Sequence, residues 1–173
     1  MAGGRARGQA LRQRVPEQRK GVGTSAIDLA TTDGATAAMG GAYPAASVLA
    51  RTDWVNAHKA TVQKVVDALV ATVHWTSTHS AADIANKLPG SFVSNQLVTK
   101  ADCITALNEG RGQFLPDGLM PADGPKTSPA TEKPVGNVKG TANLSRTFTN
   151  DFAIQANKTE GFKTTTTRAG PNG

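Results

Sequence analysis

This sequence predicts an α/β fold, predominantly helical with a few short strands, on three observations. Val62, Val65, Val66, Leu69 and Val73 recur at i, i+3, i+4, i+7 and i+11 between Lys59 and Thr78, the period of a helix with one apolar face. Two hydroxyl-x-x-Asp pairs, Ser80 with Asp83 and Thr99 with Asp102, stand just before further apolar positions, as capping boxes do. Two short apolar runs, Ala26 to Leu29 and AASVLA at 45–50, have strand length and lie in polar, glycine- and proline-bearing chain.

The elements follow in chain order. Of the net charge of +6, Arg5, Arg7, Arg12, Arg14, Arg19 and Lys20 against Glu17 place +5 within the first twenty residues, so the body is nearly neutral. Residues 1–22 read as a basic, solvated arm, because a segment without apolar periodicity has almost nothing to bury. Residues 23–157 carry the folded part. The first strand candidate, Ala26 to Leu29, gives way to glycine-rich chain, and the second, 45–50, is bounded by Pro44 and by Arg51-Thr52-Asp53. Thr52 is placed to cap a short helix bearing Trp54 and Val55, with Asp53 favourable in its first turn. The valine-striped helix over 59–78 follows, with Gln63, Lys64 and Asp67 opposite the stripe and both tryptophans, Trp54 and Trp75, expected to bury against it.

Next come a capped helix carrying Ile84 and Leu88, ended by Pro89-Gly90, and another carrying Ile104 and Leu107, with Gly110 placed to close it in the left-handed conformation. Residues 114–137 hold five prolines, and Ser128-Pro129 and Lys133-Pro134 are expected to interrupt any helix there. A last short helix is expected from about Thr149, capped by Thr147 or Thr149, with Phe148, Phe152 and Ile154 for packing. Residues 158–173 read as a polar tail.

Chemistry is sparse. The single Cys103 excludes an internal disulfide and any multi-thiolate metal site, and its helical surroundings make it a small core residue. His74 and His79 lie on different helix faces, His58 stands apart, and no HExxH or His-Cys cluster occurs, so no metal site is expected. Neither a GxSxG elbow nor a phosphate-cradling glycine loop is present. Asp28, Asp33, Asp53, Asp67 and Asp83 are scattered, suited to caps and exposed faces, and no enzyme or cofactor is expected. No run reaches the roughly 18 apolar residues of a membrane span, and the arm lacks the apolar core of an export signal. One stretch stands out. In GGAYP, residues 40–44, two glycines and a proline flank the sole tyrosine, so the backbone there lies where two segments meet and the Tyr43 hydroxyl is a candidate ligand contact.

Three blocks then form a recognisable series: DLATTDGATAAMGGAYPAASVLARTDWVNAHKATVQKVVDALVATVHW, FLPDGLMPADGPKT and LSRTFTNDFA. In order and spacing the chain resembles, over roughly residues 26–157, the C-terminal part of the periplasmic solute-binding proteins of nitrate/sulfonate/taurine-type ABC importers. The resemblance implies a partial periplasmic-binding-protein-like fold whose N-terminal lobe, with the export signal, is largely missing. It implies that residues 26–50 return the chain through a hinge, with Gly40, Gly41, Tyr43 and Pro44 beside the cleft. The function implied is that of a monomeric, non-catalytic binding component of the periplasm or cell envelope. Such a component holds a small anion such as nitrate or a sulfonate by closure and presents it to a membrane permease. An enzyme of thiamine-pyrimidine synthesis shares that fold but uses a cysteine-rich motif, which Cys103 alone does not provide.

The alternative is nucleic-acid binding through the arm, since six basic side chains neutralise several phosphates in a salt-sensitive manner. The arm has no aromatic to stack on bases and the body no basic face to extend the contact, which weighs against this reading.

Overall fold

Residues 59–78 contain neither glycine nor proline, and they form the longest helix. In the computed structural model, which describes residues 15–24, 27, 29, 31–96, 98–141 and 143–167, the order is helical throughout. It runs α1 (residues 15–19), α2 (Thr32–Met39), α3 (Thr52–Ala57), α4 (Lys59–Thr78), α5 (Ala81–Lys87), α6 (Gly90–Val93), α7 (Lys100–Gly110), α8 (Gly124–Glu132) and α9 (Asp151–Glu160). Single 3-10 turns lie at Arg111–Gln113 and Leu144–Arg146.

The α/β expectation, and with it the partial periplasmic-binding-protein-like fold, is corrected: among the described residues there is no strand and no sheet. Ala26 and Asp28 of the first strand candidate lie outside the described residues, and Ile27 and Leu29 are irregular and exposed. The second candidate, 45–50, is also irregular, with Val48 62% and Leu49 88% exposed. A strand needs a neighbour to take up its ladder hydrogen bonds, and here neither run is given one. The nearest approach to a ladder is an isolated bridge at Pro121, beside which the Ala122 N–H donates to the Thr167 carbonyl at 2.9 Å.

Nearly half of α4 is β-branched, a composition that favours helix only weakly, so tertiary packing must hold it. Val70 does this with Leu119, Ala153 and Ala156 in the first of two small cores, against which Val66, Ile154 and Phe162 pack. The helix is therefore rotated from the expected stripe: Val65 and Leu69 are exposed and Val70 is the buried centre. Gln63, expected opposite the stripe, faces α9 as well: its Nε2 donates to the Phe152 carbonyl at 2.9 Å and to Asp67 Oδ1 at 2.7 Å. The α4 hydroxyls of Thr72, Thr76 and Thr78 return to carbonyls of their own helix.

Both capping boxes form as the sequence indicates, Ser80 with Asp83 on α5 and Thr99 with Asp102 on α7. These two helices and α6 build the second core from Ala85, Val93 and Cys103, with Ile104 and Leu107 against it. Gly110 differs from expectation: it is right-handed, with φ −102°, and passes the chain into the 3-10 turn instead of ending it. Helix α8 also forms despite Pro129 inside it. Pro125 occupies the first turn, where no N–H is required, so Pro129 forfeits only one bond, and the helix stops ahead of Pro134. Helix α9 starts at Asp151, two residues past the expected Thr149. Thr149 Oγ1 accepts the Asp151 N–H at 3.2 Å, while Asn150 is drawn away to Met120.

The expected arm is docked where it is described. Residues 15–19 are helical, Val15 is buried, and Arg19 Nη1 meets Asp102 Oδ1 at 2.7 Å; residues 1–14 lie outside the described residues. Trp54, expected to be buried, is 44% exposed and stacks on His58, and Trp75 stacks on His79 in the same i, i+4 manner. Among the described residues no helix is long and apolar enough to cross a membrane.

Candidate functional site

The residues singled out in GGAYP are brought together against α8. Thr31 caps α2 by accepting the Gly34 N–H, and the helix ends at Gly40, whose φ of 80° is the left-handed conformation that glycine adopts without a Cβ penalty. Gly41 is needed for a different reason. A Cβ there would lie 2.5 Å from Thr127 Oγ1 and 2.7 Å from Asp123 Oδ2, so only glycine lets the backbone touch α8.

Four further hydrogen bonds lie at the loop. The Ala42 N–H donates to Asp123 Oδ2 at 2.8 Å, and the Tyr43 hydroxyl donates to Glu132 Oε1 at 2.6 Å. The other carboxylate oxygen of Glu132 accepts from Asn137 Nδ2 at 2.6 Å. Pro44 centres a three-residue turn in which the Ala45 N–H returns to the Tyr43 carbonyl at 2.8 Å, a geometry that suits its fixed φ. The loop thus lies on the seam between α2 and α8. Its polar groups are hydrogen-bond donors and acceptors without a nucleophile–base pair. Tyr43 and Pro44 are half-buried, and Asp123 stands exposed.

Other candidate residues are dispersed. Asp53 pairs with Arg51 at 2.8 Å on the surface, and its carboxyl is held below the usual range, first by Arg51 and then by the Trp54 N–H. Asp83 is likewise lowered, first by the Ser80 hydroxyl. Asp28 lies outside the described residues, and Asp33 stands in the first turn of α2. The three histidines each stack on an aromatic ring, His74 on Phe162 at 3.7 Å between centroids. Among the described residues no three His, Cys, Asp or Glu side chains converge as a metal site would require. An open groove of ≈ 320 Å³ between α4 and α5 is lined by Thr72, Trp75, Thr76, Ile84, Lys87 and Leu88.

Sequence reasoning passed over a second pinned segment. Asp117, 1% exposed, accepts from the Leu119 N–H at 3.2 Å, from the Thr165 and Thr166 N–H groups at 2.8 Å each and from the Thr166 hydroxyl at 2.7 Å. Burial pushes this carboxyl up, but the Thr166, Thr165 and Leu119 donors outweigh it and leave it below the ordinary carboxylate range. The signal available was Pro116-Asp117-Gly118, a turn sequence, in which the Gly118 N–H returns to the Leu115 carbonyl.

Set against family models, curated proteins and solved structures, the chain matches none of them. What it does must therefore be argued from its own residues.

Proposed function

We propose that the chain is a non-catalytic solute-binding component of an ABC importer that takes a small anion, such as nitrate or a sulfonate, at the 40–44 loop. It would work as a monomer in the periplasm or cell envelope and present the loaded state to a membrane permease. The observation that carries this reading is that the three sequence blocks on which the resemblance rests meet in space. Gly41, Ala42 and the first block lie on Asp123 and Thr127 of the second. Met120 of the second block is bound by Asn150 of the third, and Gln63 and Val70 of the first pack on Phe152 and Ala153 of the third.

The mechanism is an exchange of acceptors. Without solute, the Ala42 N–H and Tyr43 hydroxyl are given to Asp123 and Glu132. An anion with comparable acceptor oxygens takes both donors, the loop closes over it, and the bound state is populated in proportion to its differential affinity. Calorimetric titration with nitrate, ethanesulfonate and taurine tests this. At least one should bind saturably, and Tyr43→Phe should weaken it about tenfold, the worth of one hydrogen bond. No heat with any of the three, together with salt-sensitive retention of duplex DNA that vanishes when residues 1–14 are deleted, would instead favour nucleic-acid binding.

A further inference from the structure

The segment after α9 behaves as a bound peptide. Gly161 ends the helix at φ 70°, and the Phe162 N–H turns back to the Asn157 carbonyl at 2.9 Å. From there, three fastenings hold residues 162–167. The Phe162 ring stacks on His74 and packs on the α4–α9 core. Thr165 and Thr166 give two N–H groups and a hydroxyl to the Asp117 carboxylate. Thr167 offers its carbonyl to the Ala122 N–H. The seat reads two adjacent backbone N–H groups, one hydroxyl and one aromatic ring, none of which depends on belonging to the same chain.

We propose that this seat is a docking site that also accepts residues 162–167 of a second copy of the chain, so that two molecules exchange straps. Two observations point to that occupant. The fitting segment is already seated in cis, so the complementarity is built. Its connection to α9 is the single residue Gly161, whose left-handed turn alone sends the strap back to its own body, and a Cβ built there has no atom within 4 Å. The same contacts form in either arrangement, so the balance rests on that turn and on the effective concentration of the tethered strap. An empty seat is disfavoured, because it would leave the Asp117 carboxylate buried without its donors. The wild-type chain is thus a monomer when dilute and exchanges when concentrated.

Gly161→Ala in the full chain tests this, since the left-handed turn is penalised for alanine while nothing blocks its side chain. Light scattering after gel filtration should show the monomer–dimer balance shifted about tenfold toward dimer. Mixed donor- and acceptor-labelled pools should acquire energy transfer, and tryptic cleavage after Lys163 should stay slow in the dimer. Adding Thr166→Val removes the same hydroxyl bond from both arrangements, so it should speed the exchange of straps and leave the dimer fraction nearly unchanged. Should Gly161→Ala fold poorly, the labelled wild-type pools mixed at millimolar concentration give the same readout. A protein that stays monomeric under these conditions, or a dimer in which tryptic cleavage after Lys163 is fast because the seats stand empty, overturns the proposal.

Discussion

Two irregular segments of this molecule are tied down by carboxylates, and they differ in how deeply. The 162–167 strap gives three donors to Asp117, which is almost wholly buried. The 40–44 loop gives one donor to the exposed Asp123 and one to the half-buried Glu132. Hydrogen bonds to a charged group contribute most where water cannot replace them. The seat is therefore kept filled by a strap, from its own chain or from a second copy, while the loop can trade its acceptors for those of a solute. The same chemistry makes a fastening in one place and an exchangeable contact in the other.

Removing Asp117 should break the contrast outright. Asp117→Ala strands the Thr165, Thr166 and Leu119 donors, and a loss of about 3 kcal/mol is expected in urea unfolding, with fast tryptic cleavage after Lys163. Gly41→Ala should come next. Its Cβ cannot coexist with Thr127 Oγ1, and overpacking of this kind costs about 2 kcal/mol. Thermal melting should show that loss, and Thr127→Ala in the same chain should recover part of it, because Thr127 is one of the two side chains the Cβ meets.

Acid should sharpen the difference. The Asp117 carboxyl is depressed in the folded protein, so its contribution is complete above the unfolded carboxylate value near 4 and disappears as pH falls through the lower folded one. Amide resonances of Thr165 and Thr166 should therefore hold their positions from pH 7 to 5 and move only below the ordinary carboxylate range. The smallest effect belongs to Tyr43→Phe. It removes one half-exposed hydrogen bond and should lower stability by about 1 kcal/mol or less, leaving the strap amides unchanged.

What could be read from the sequence was local. The bounds of α4 and the capping boxes of α5 and α7 follow from neighbours three or four positions apart, and they stand where the sequence puts them. The face α4 buries is not legible locally because its partners are distant in sequence, Leu119 and Ala153 for Val70 and the Phe152 carbonyl, 89 residues away, for Gln63. Strands were expected at 45–50 from composition alone, yet a strand exists only with a partner, and composition does not name one. Helix α8 was missed because Pro129 was weighed by type and not by the single bond it forgoes. At the loop, Gly41 and Tyr43 could be singled out, but the Glu132 that receives the Tyr43 proton lies 89 residues away. The strap was taken for a polar tail because its threonines are ordinary until a buried aspartate 48 residues earlier gathers them.

Amide hydrogen exchange, read at Ala42 and Thr166 in one sample with and without nitrate, ethanesulfonate or taurine, tests the division between exchangeable loop and fixed strap most directly. Ala42 should exchange on the order of a hundredfold faster than Thr166, and at least one anion should slow Ala42 alone. Equal protection at the two amides, or an Ala42 amide that no anion changes, would contradict it.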